Sequence, residues 1–243
     1  MIIIQSLRSY VFSYIKFPEI RRDMPSEIFR QLETHYGKKW EASNGRRIHE
    51  WWPVSGRFEP KELEIVLGAI LTQNTNWRNV EKAIMNMIAA GLTDAGSIAK
   101  CDLRKLQKII RPAGFFTQKA ERLKGICIFI LGFECDFYKD VTRQELLAIK
   151  GIGNETADSI LLYACNKPEF VVDAYTKRIF SRFGVFVNDI RYDEAKKFFE
   201  SKTKRNTTLY KKLHALIVEH AKETCRKEPA CEKCPLKGCK RLL

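Results

Sequence analysis

Hydrophobic residues recur along this chain at the spacing of α-helices. In the segment 62–71 the apolar positions are Leu63, Val66, Leu67, Ile70 and Leu71. Residues three and four positions apart lie on one face of a helix, so the segment predicts an amphipathic helix with one buried side. Almost no stretch alternates with period two, apart from residues 170–172. The pattern therefore predicts an all-α fold.

The same spacing, together with proline and glycine breakers, predicts where the other helices lie. Residues 1–45 are expected to be helical in two pieces, with Pro18 and Pro25 as breakers. Trp77 opens a helix that runs to Ala90. The remaining predicted helices cover residues 98–100, 101–110, 118–132, 142–150, 154–165, a segment from Asp173 to Phe183, and residues 193–204 and 209–224.

A tight turn, Gly151-Ile152-Gly153, separates two of these helices. Glycines two positions apart let backbone N–H groups converge on an anion, and the dipole of the following helix favours the same guest. Asp173 lies a fixed distance further along the chain, at the start of the next helix. The arrangement suggests a nucleic-acid phosphate held near an acid, although Asp173 fits the position of a simple helix N-cap equally well.

Charge supports a phosphate-rich partner. The chain has 43 Lys and Arg against 29 Asp and Glu, for a formal charge of +14. Such a balance is usual for proteins that neutralise phosphates, while a solvated basic surface without a partner is the alternative. Arg8 and Lys16 interrupt the apolar N-terminus, and no apolar run approaches the ~20 residues of a membrane span. We expect a soluble, cytoplasmic, nucleoid-associated protein without membrane contact.

Two clusters of unusual side chains precede the glycine turn. Trp51-Trp52-Pro53 places two tryptophans next to each other, and neighbours on a regular element cannot both face one core. At least one is therefore expected to be partly open, although packing of one Trp is the simpler interpretation. The run 72–76, Thr-Gln-Asn-Thr-Asn, ends at Trp77 and fits either caps and turns or side chains that reach a substrate.

Four cysteines stand close together at the C-terminus: Cys225, Cys231, Cys234 and Cys239, separated by five, two and four residues. Four thiolates in one small loop repel each other unless a metal centre holds them, so a four-cysteine site is predicted. The candidates are a [4Fe–4S] cluster and a tetrahedral Zn²⁺. Zinc ribbons normally use two CxxC pairs, and this loop has one. The other four cysteines lie scattered in apolar helices, where buried thiols are ordinary.

The glycine turn, the downstream Asp173 and the cysteine tail, taken together and in this order, resemble the endonuclease III branch of the helix-hairpin-helix DNA glycosylases, a base excision repair family. The resemblance covers about residues 51–239. It implies two helical domains that grip double-stranded DNA: a six-helix barrel with the hairpin, 59–170, and a second domain formed by 1–58 plus 171–243. It also implies a [4Fe–4S] cluster on the four cysteines and a monomer.

The resemblance assigns roles to particular residues. Asp173 is expected to be the catalytic acid at the mouth of the cleft. The expected DNA-binding residues around the hairpin are Lys150, Gly151, Ile152, Gly153 and Asn154. In bifunctional relatives the second position after the last hairpin glycine is a nucleophilic lysine. Glu155 stands there in this chain and cannot form an imine, so the β-lyase step is expected to be absent.

A second likeness narrows the substrate. The Trp-Trp-Pro segment and the strings GAILTQNTNW, RPAGFFTQKAERL and VVDAY are similar to bacterial 3-methyladenine DNA glycosylases of the same superfamily. That likeness implies a pocket for the flipped base made of Trp51, Trp52, Pro53 and Trp77, with Gln73 filling the gap in the duplex. Those relatives lack a cluster, so this chain would combine their pocket with the tail of endonuclease III.

The expected function is a monofunctional glycosylase that removes alkylated purines such as 3-methyladenine by hydrolysis. Asp173 would stabilise the electron-poor sugar or accept a proton from the attacking water. The alternatives are a glycosylase for mismatched or deaminated bases and a noncatalytic module that binds damaged DNA. Glu155 and Asp158 lie three apart on one helix, and such pairs are usually solvated, so neither is given a role.

Overall fold

The computed structural model of the chain describes residues 24–187 and 189–241. These residues confirm the all-α prediction. The helices of the first half are α1 (Met24–Leu32), α2 (Lys38–Asn44), α3 (Lys61–Leu71), α4 (Trp77–Ala89), α5 (Ala95–Lys100), α6 (Leu103–Ile109) and α7 (Phe116–Leu131). Those of the second half are α8 (Phe137–Asp140), α9 (Arg143–Ala148), α10 (Asn154–Ser159), α11 (Ala174–Phe183), α12 (Tyr192–Lys202) and α13 (Thr207–Glu223).

Short non-α turns complete several of these helices. A π turn, Glu33–Gly37, joins α1 to α2 into one continuous segment, and a second π turn, Ile160–Ala164, extends α10. Turns of 3-10 type cover Ile48–Glu50, Arg111–Ala113 and Cys231–Lys233. The predicted helix piece before Pro25, with the breaker Pro18, lies outside the described residues. None of the helices in the described ranges has both the length and the apolar character that a membrane span requires.

The boundaries differ from the predictions where caps, rather than apolar spacing, set them. The predicted helix 98–100 is only the end of α5, which begins after Asp94 because the Asp94 Oδ1 atom accepts a hydrogen bond from Ser97 N at 2.8 Å. The short helix α8 was not predicted, and Asp136 caps it in the same way. The period-two residues 170–172 are buried but form no named strand.

Buried apolar side chains form two clusters. The first is built from α3 to α10, and α3 contributes its whole predicted face, including Leu63, Leu67 and Ile70, each fully buried. The second joins α1 to α11, α12 and α13 around a group of phenylalanines, in which Phe170 stacks on Phe199 with ring centroids 4.6 Å apart. These clusters bury the faces that the helical spacing predicted.

An ion-pair network connects α9 and α10 with α12. Asp158 on α10 is fully buried, with its Oδ1 atom 2.8 Å from Arg143 Nε and 2.9 Å from Lys196 Nζ. Lys196 also pairs with Glu169. The expectation that Glu155 and Asp158 form a solvated pair is therefore wrong for Asp158, because a buried carboxylate needs cationic partners and here it has two.

Candidate functional site

Asp173 lies at the N-terminus of α11, where its carboxylate does two things. The Oδ1 atom accepts hydrogen bonds from the backbone N and the Oγ1 of Thr176, both at 2.7 Å, and so caps the helix. The Oδ2 atom faces His214 Nε2 at 3.5 Å. Asp173 is only 9% exposed. The Oδ1 atom thus caps helix α11, whereas the Oδ2 atom faces His214 and is not used by the cap.

The environment of Asp173 favours its ionised form. Burial alone would raise the pKa of this carboxyl group, because the charged form loses solvation. The interaction with His214 and the hydrogen bonds from Thr176 act in the opposite direction and hold the pKa below its ordinary value. Asp173 therefore carries a negative charge near neutral pH, in a place from which water is largely excluded.

Aromatic side chains lead from His214 outward. Trp51 meets His214 edge-on with ring centroids 6.0 Å apart, and Trp52 lies 6.4 Å from Trp51. Trp52 in turn lies 5.7 Å from Trp77 and 4.9 Å from Tyr163, whose hydroxyl pairs with His214 Nδ1 at 2.7 Å. The three tryptophans are half-buried. The structure thus brings Trp77 together with the adjacent pair Trp51 and Trp52, which comes earlier in the chain, and the three predicted pocket residues lie next to the partner of Asp173.

Two details of this aromatic group concern the packing and the hydrogen bonding of Trp52. A Cβ at Gly68 would stand 3.4 Å from the ring of Trp52 and 3.7 Å from that of Trp77, so the glycine lets both rings approach α3. The indole Nε1 of Trp52 is buried and has no hydrogen-bond partner among the described residues. A buried donor without a partner is costly in a native structure, so a ligand acceptor here would satisfy it. The fourth predicted pocket residue, Pro53, follows Trp52 in the chain and is half-buried.

The hairpin presents its backbone to solvent. Gly151 and Gly153 are exposed, Lys150 is exposed beside them, and Ile152 is buried beneath the turn. Gly151 has φ +88°, a conformation that a residue with a Cβ adopts only under strain. The next residue, Asn154, uses its Oδ1 atom to accept a hydrogen bond from Arg143 at 3.0 Å. The turn therefore places the exposed backbone of Gly151 and Gly153 at the surface, while the burial of Ile152 and the hydrogen bond of Asn154 hold the turn in position.

Gln73 lies against this hairpin. Its Nε2 atom donates to the Gly151 carbonyl oxygen at 3.1 Å and to Thr156 Oγ1 at 2.9 Å, and its Oε1 atom accepts from Arg122. These contacts occur at the rim of a groove of about 370 Å³. The groove is lined by Gln73, Asn74, Arg122, Gly153, Asn154, Glu155, Thr156 and Tyr192.

Glu155, which the sequence left without a role, lines this groove. Its pKa is raised to about 7, first because surrounding protein atoms reduce its solvation and second because the charge of Asp173 repels its own. His214 and Lys177 oppose the shift in pKa. The side chain of Glu155 is exposed by surface area, and its reduced solvation comes from its position in a concave groove. The site therefore holds two carboxyl groups with different proton affinities.

The four C-terminal cysteines line one cavity of about 140 Å³ after the end of α13. Arg182 borders the same cavity, with its Nη1 atom 3.5 Å from Cys225 Sγ, and the Cys239 Sγ donates to the Arg182 carbonyl oxygen at 3.5 Å. All eight cysteines are free thiols. In the described part of the chain, no group of three or more His, Cys, Asp or Glu side chains is arranged to hold a metal ion.

Several residues of the site escaped the sequence analysis. Tyr163 and His214 are partners of the aromatic group and of Asp173, and a polar residue within the apolar run of α13 is the one signal that marked His214. Phe115 lies within the string RPAGFFTQKAERL but was given no role of its own. It is 63% exposed with φ +44°, so a large apolar ring is presented to solvent on a constrained backbone.

The helical fold, the glycine hairpin with its groove, and a buried aspartate linked through His214 to the tryptophans agree with the family resemblance drawn from the sequence. The sequence pattern of the HhH-GPD superfamily base excision DNA repair proteins matches residues 67–205. The chain belongs to this superfamily and is a base excision repair DNA glycosylase.

Individual relatives agree with this assignment. The chain is 44% identical over 227 residues to a provisionally named DNA repair glycosylase of Methanocaldococcus jannaschii, covering 90% of this chain and 96% of the relative. It is 30% identical over 185 residues to endonuclease III of Sulfolobus acidocaldarius, covering 73% and 81%. Among solved structures, the H. pylori 3-methyladenine DNA glycosylase bound to 1,N6-ethenoadenine aligns with TM-score 0.68 and 33% identity, covering 81% of this chain and 98% of that one.

Proposed function

We propose that this protein is a monofunctional DNA glycosylase that hydrolyses the N-glycosidic bond of alkylated purines in double-stranded DNA. The observation that carries the proposal is the half-buried group of Trp51, Trp52 and Trp77 beside the ionised Asp173. The likeness to the H. pylori 3-methyladenine glycosylase supports the same substrate class. A base excised by such a site must first be rotated out of the duplex, at a cost of a few kcal/mol.

The tryptophans favour a positively charged base. A methylated purine of the 3-methyladenine type carries a positive charge while it is attached to the sugar, and a cation near an indole ring gains about 1–2 kcal/mol where solvent is excluded. The unpaired Nε1 of Trp52 can donate to an acceptor on the base edge. Pro53, next to Trp52 in the chain, would complete the pocket. Such a pocket would select a base by its charge, by stacking and by one hydrogen bond.

Asp173 would act on the sugar. The bond from C1′ to the base nitrogen breaks, the base leaves with the electron pair, and water adds to C1′. Because the alkylated base is already a good leaving group, the main demand is stabilisation of positive charge on the sugar, which a nearby ionised carboxylate supplies. The water proton passes to solvent or to the Oδ2 atom of Asp173, which Thr176 does not occupy.

The absence of a lyase step follows from Glu155. Strand cleavage through a Schiff base needs an amine nucleophile, and Glu155 occupies the place of the lysine in bifunctional relatives. The expected product is therefore an intact strand with an abasic site.

DNA would lie across the groove. The exposed N–H groups of Gly151 and Gly153, with Lys150 beside them, suit a strand phosphate. Gln73 would fill the space left by the extruded base, and the exposed ring of Phe115 would wedge the opposite side. We further propose the domains 59–170 and 1–58 plus 171–243, whose cores are mainly the first and the second apolar cluster; the residues that cross these bounds are Phe58 in the first cluster and Leu162, Tyr163 and Phe170 in the second. We also propose that the protein works as a monomer.

The C-terminal loop is proposed to hold a [4Fe–4S] cluster on Cys225, Cys231, Cys234 and Cys239. All four thiols border one cavity. The loop has one CxxC pair rather than the two pairs of a zinc ribbon, which suits a [4Fe–4S] cluster better than Zn²⁺. Such a cluster would supply a structural crosslink. Cys225 and Cys239 already contact Arg182, whose guanidinium also donates to the carbonyl oxygens of Arg226 and Lys227.

Identification of the released base tests the function. Duplexes containing 3-methyladenine, hypoxanthine or uracil are incubated with the protein, and free bases are separated by chromatography. The proposal expects release of 3-methyladenine and strand breakage only after alkali treatment. Release of only hypoxanthine or uracil would favour a glycosylase for deaminated bases. Strand breakage without alkali would contradict the monofunctional assignment.

The cluster is tested on purified protein by iron and sulfide content and by the broad visible absorbance of iron–sulfur centres. The expectation is about four iron atoms per chain, with loss of iron in Cys231→Ser. The matched control is Cys135→Ser, an exposed cysteine outside the cavity, which should retain all the iron. Stoichiometric zinc without iron would overturn the cluster assignment.

A further inference from the structure

Arg122 is placed so as to fix Gln73. The Nη1 atom of Arg122 on α7 donates to Gln73 Oε1, and its Nη2 atom is 3.3 Å from Gln118 Oε1 one turn earlier on the same helix. The guanidinium is planar and holds its donors in a rigid fork. One donor of Arg122 thus binds the carboxamide of Gln73, and another binds Gln118 on its own helix, which restrains the guanidinium.

These contacts use both N–H donors of the Gln73 carboxamide and one lone pair of its oxygen. An amide side chain offers two N–H donors and one carbonyl oxygen. Both donor directions end on the hairpin, at the Gly151 carbonyl oxygen and Thr156 Oγ1, and the oxygen ends on Arg122. The amide is therefore held between α7 and the hairpin rather than lying free in the groove.

Arg122 also crosses the hairpin glycine. A Cβ on Gly151 would overlap the Cγ, Cδ and Nε atoms of Arg122, and φ at Gly151 is +88°. The glycine is therefore needed twice, once for the turn and once for the approach of Arg122. The same side chain consequently contacts the two parts of the groove that face DNA: the gap-filling residue and the phosphate-binding turn.

We propose that Arg122 is a positioning residue that locks the Gln73 carboxamide to the hairpin, so that binding of a strand phosphate sets Gln73 at the gap left by the extruded base. The inference rests on the proposed function and adds a coupling between two contacts with DNA. It separates Arg122 from a simple phosphate-binding cation, because its fork is directed at protein acceptors.

A double-mutant cycle tests the coupling. Arg122→Met, Gln73→Ala and the double variant are compared in single-turnover base release and in binding to a duplex with a reduced abasic-site analogue. Each single variant should lose about tenfold, the size expected for one charge-assisted hydrogen bond. If Arg122 acts through Gln73, the double variant should be no worse than Gln73→Ala.

Three further measurements keep the result interpretable. The losses should be absent on single-stranded substrate, where no gap exists to be filled. Arg104→Met, an exposed arginine on α6 that does not line the groove, should behave like wild type. For Arg122→Met, the slope of log binding constant against log salt should be unchanged, whereas loss of a phosphate contact lowers that slope by about one.

Additive losses in the double variant, or equal losses on single and double strands, would overturn the coupling. The abasic-analogue binding measurement needs no catalysis. A wild-type protein that binds this duplex but releases no alkylated base would refute the proposed substrate while leaving the test of Arg122 intact.

Discussion

At the scale of single residues, Asp173 shows how one carboxylate serves both fold and chemistry. Its Oδ1 atom is committed to Thr176, and its Oδ2 atom faces His214. A capping aspartate is common and implies no activity by itself. What distinguishes Asp173 is burial beside an aromatic group, because a charge in a low-dielectric site interacts more strongly with a developing positive charge.

Asp173→Asn separates these roles. Asparagine keeps an acceptor for the cap, so folding should be preserved, whereas the negative charge is lost and single-turnover base release should fall by at least about 10²-fold. DNA binding should remain within a few-fold. The matched control is Asp102→Asn, another N-cap, on α6, which should leave both properties unchanged. Full activity of Asp173→Asn would leave only the structural role.

Glu155 predicts a pH dependence. Reduced solvation in the groove and the charge of Asp173 raise the pKa of Glu155 to about 7, so the residue gains a negative charge as pH rises through neutrality. A second negative charge near the sugar favours the cationic transition state, so kcat/KM on alkylated duplex should rise through about pH 7. Glu155→Gln should lose this step. An identical rise in wild type and variant would assign it to another group.

Ionisation of Glu155 affects stability in the opposite direction to activity: the free energy of unfolding should fall over the pH range in which kcat/KM rises. Between its ordinary pKa of 4.5 and about 7, folded Glu155 keeps a proton that the unfolded chain has released. The free energy of unfolding should therefore decrease as pH rises through this window. Glu155→Gln should flatten that decrease, which thermal melts of both proteins at several pH values will show.

At the scale of elements, Lys119 ties three segments together. Its Nζ atom on α7 donates to the carbonyl oxygens of Leu71 and Ala113 at 2.9 Å and to Thr75 Oγ1 at 3.0 Å. Leu71 ends α3, Thr75 lies in the loop with Gln73, and Ala113 lies in the turn before Phe115. Burial lowers the pKa of Lys119 to about 8. One buried ammonium therefore positions both loops that would enter DNA.

Lys119→Met should loosen both loops. Methionine retains most of the apolar stem but leaves buried acceptors unsatisfied, at a cost of about 1–3 kcal/mol in the free energy of unfolding. Because the Gln73 loop is affected, base release should fall by more than the folded fraction explains. The control is Lys124→Met: Lys124 also donates to backbone carbonyls, those of Ala99 and Cys101, but away from these loops. It should lose stability and keep activity per folded molecule.

The contrast between these elements shows what a sequence can predict. Apolar spacing predicted the buried face of α3, since that information is local. The glycine turn and the tryptophan pair were visible as motifs. Gln73 bonds to Thr156, Lys119 to Leu71 and His214 pairs with Asp173, and no local pattern specifies these partners because they lie 83, 48 and 41 positions away in the chain. Asp94 is a typical N-cap residue, and it would have predicted a start of α5 at Ala95 rather than at residue 98.

At the scale of the whole molecule, the net charge acts on binding partners, whereas the ion-pair network around Asp158 acts on stability. The formal charge of +14 favours association with the phosphates of DNA and does not define the fold. The network around Asp158 is internal. Arg143 on α9 and Lys196 on α12 reach it from two different helices, so it joins the hairpin region to the second apolar cluster.

Asp158→Asn tests whether this junction stabilises the whole chain. The change removes a fully buried charge from between Arg143 and Lys196 and leaves two cations without their shared partner, which should cost about 3 kcal/mol. For a chain of this size, that loss corresponds to a melting temperature lower by about 6–12 °C. The control is Asp193→Asn, whose carboxylate also pairs with Arg143 but is 47% exposed, and it should cost less than about 1 kcal/mol. Equal effects of the two changes would mean that the buried network adds no more than a surface pair, and the junction would then depend on apolar contacts such as those of Trp52 and Ile65, which pack against both clusters.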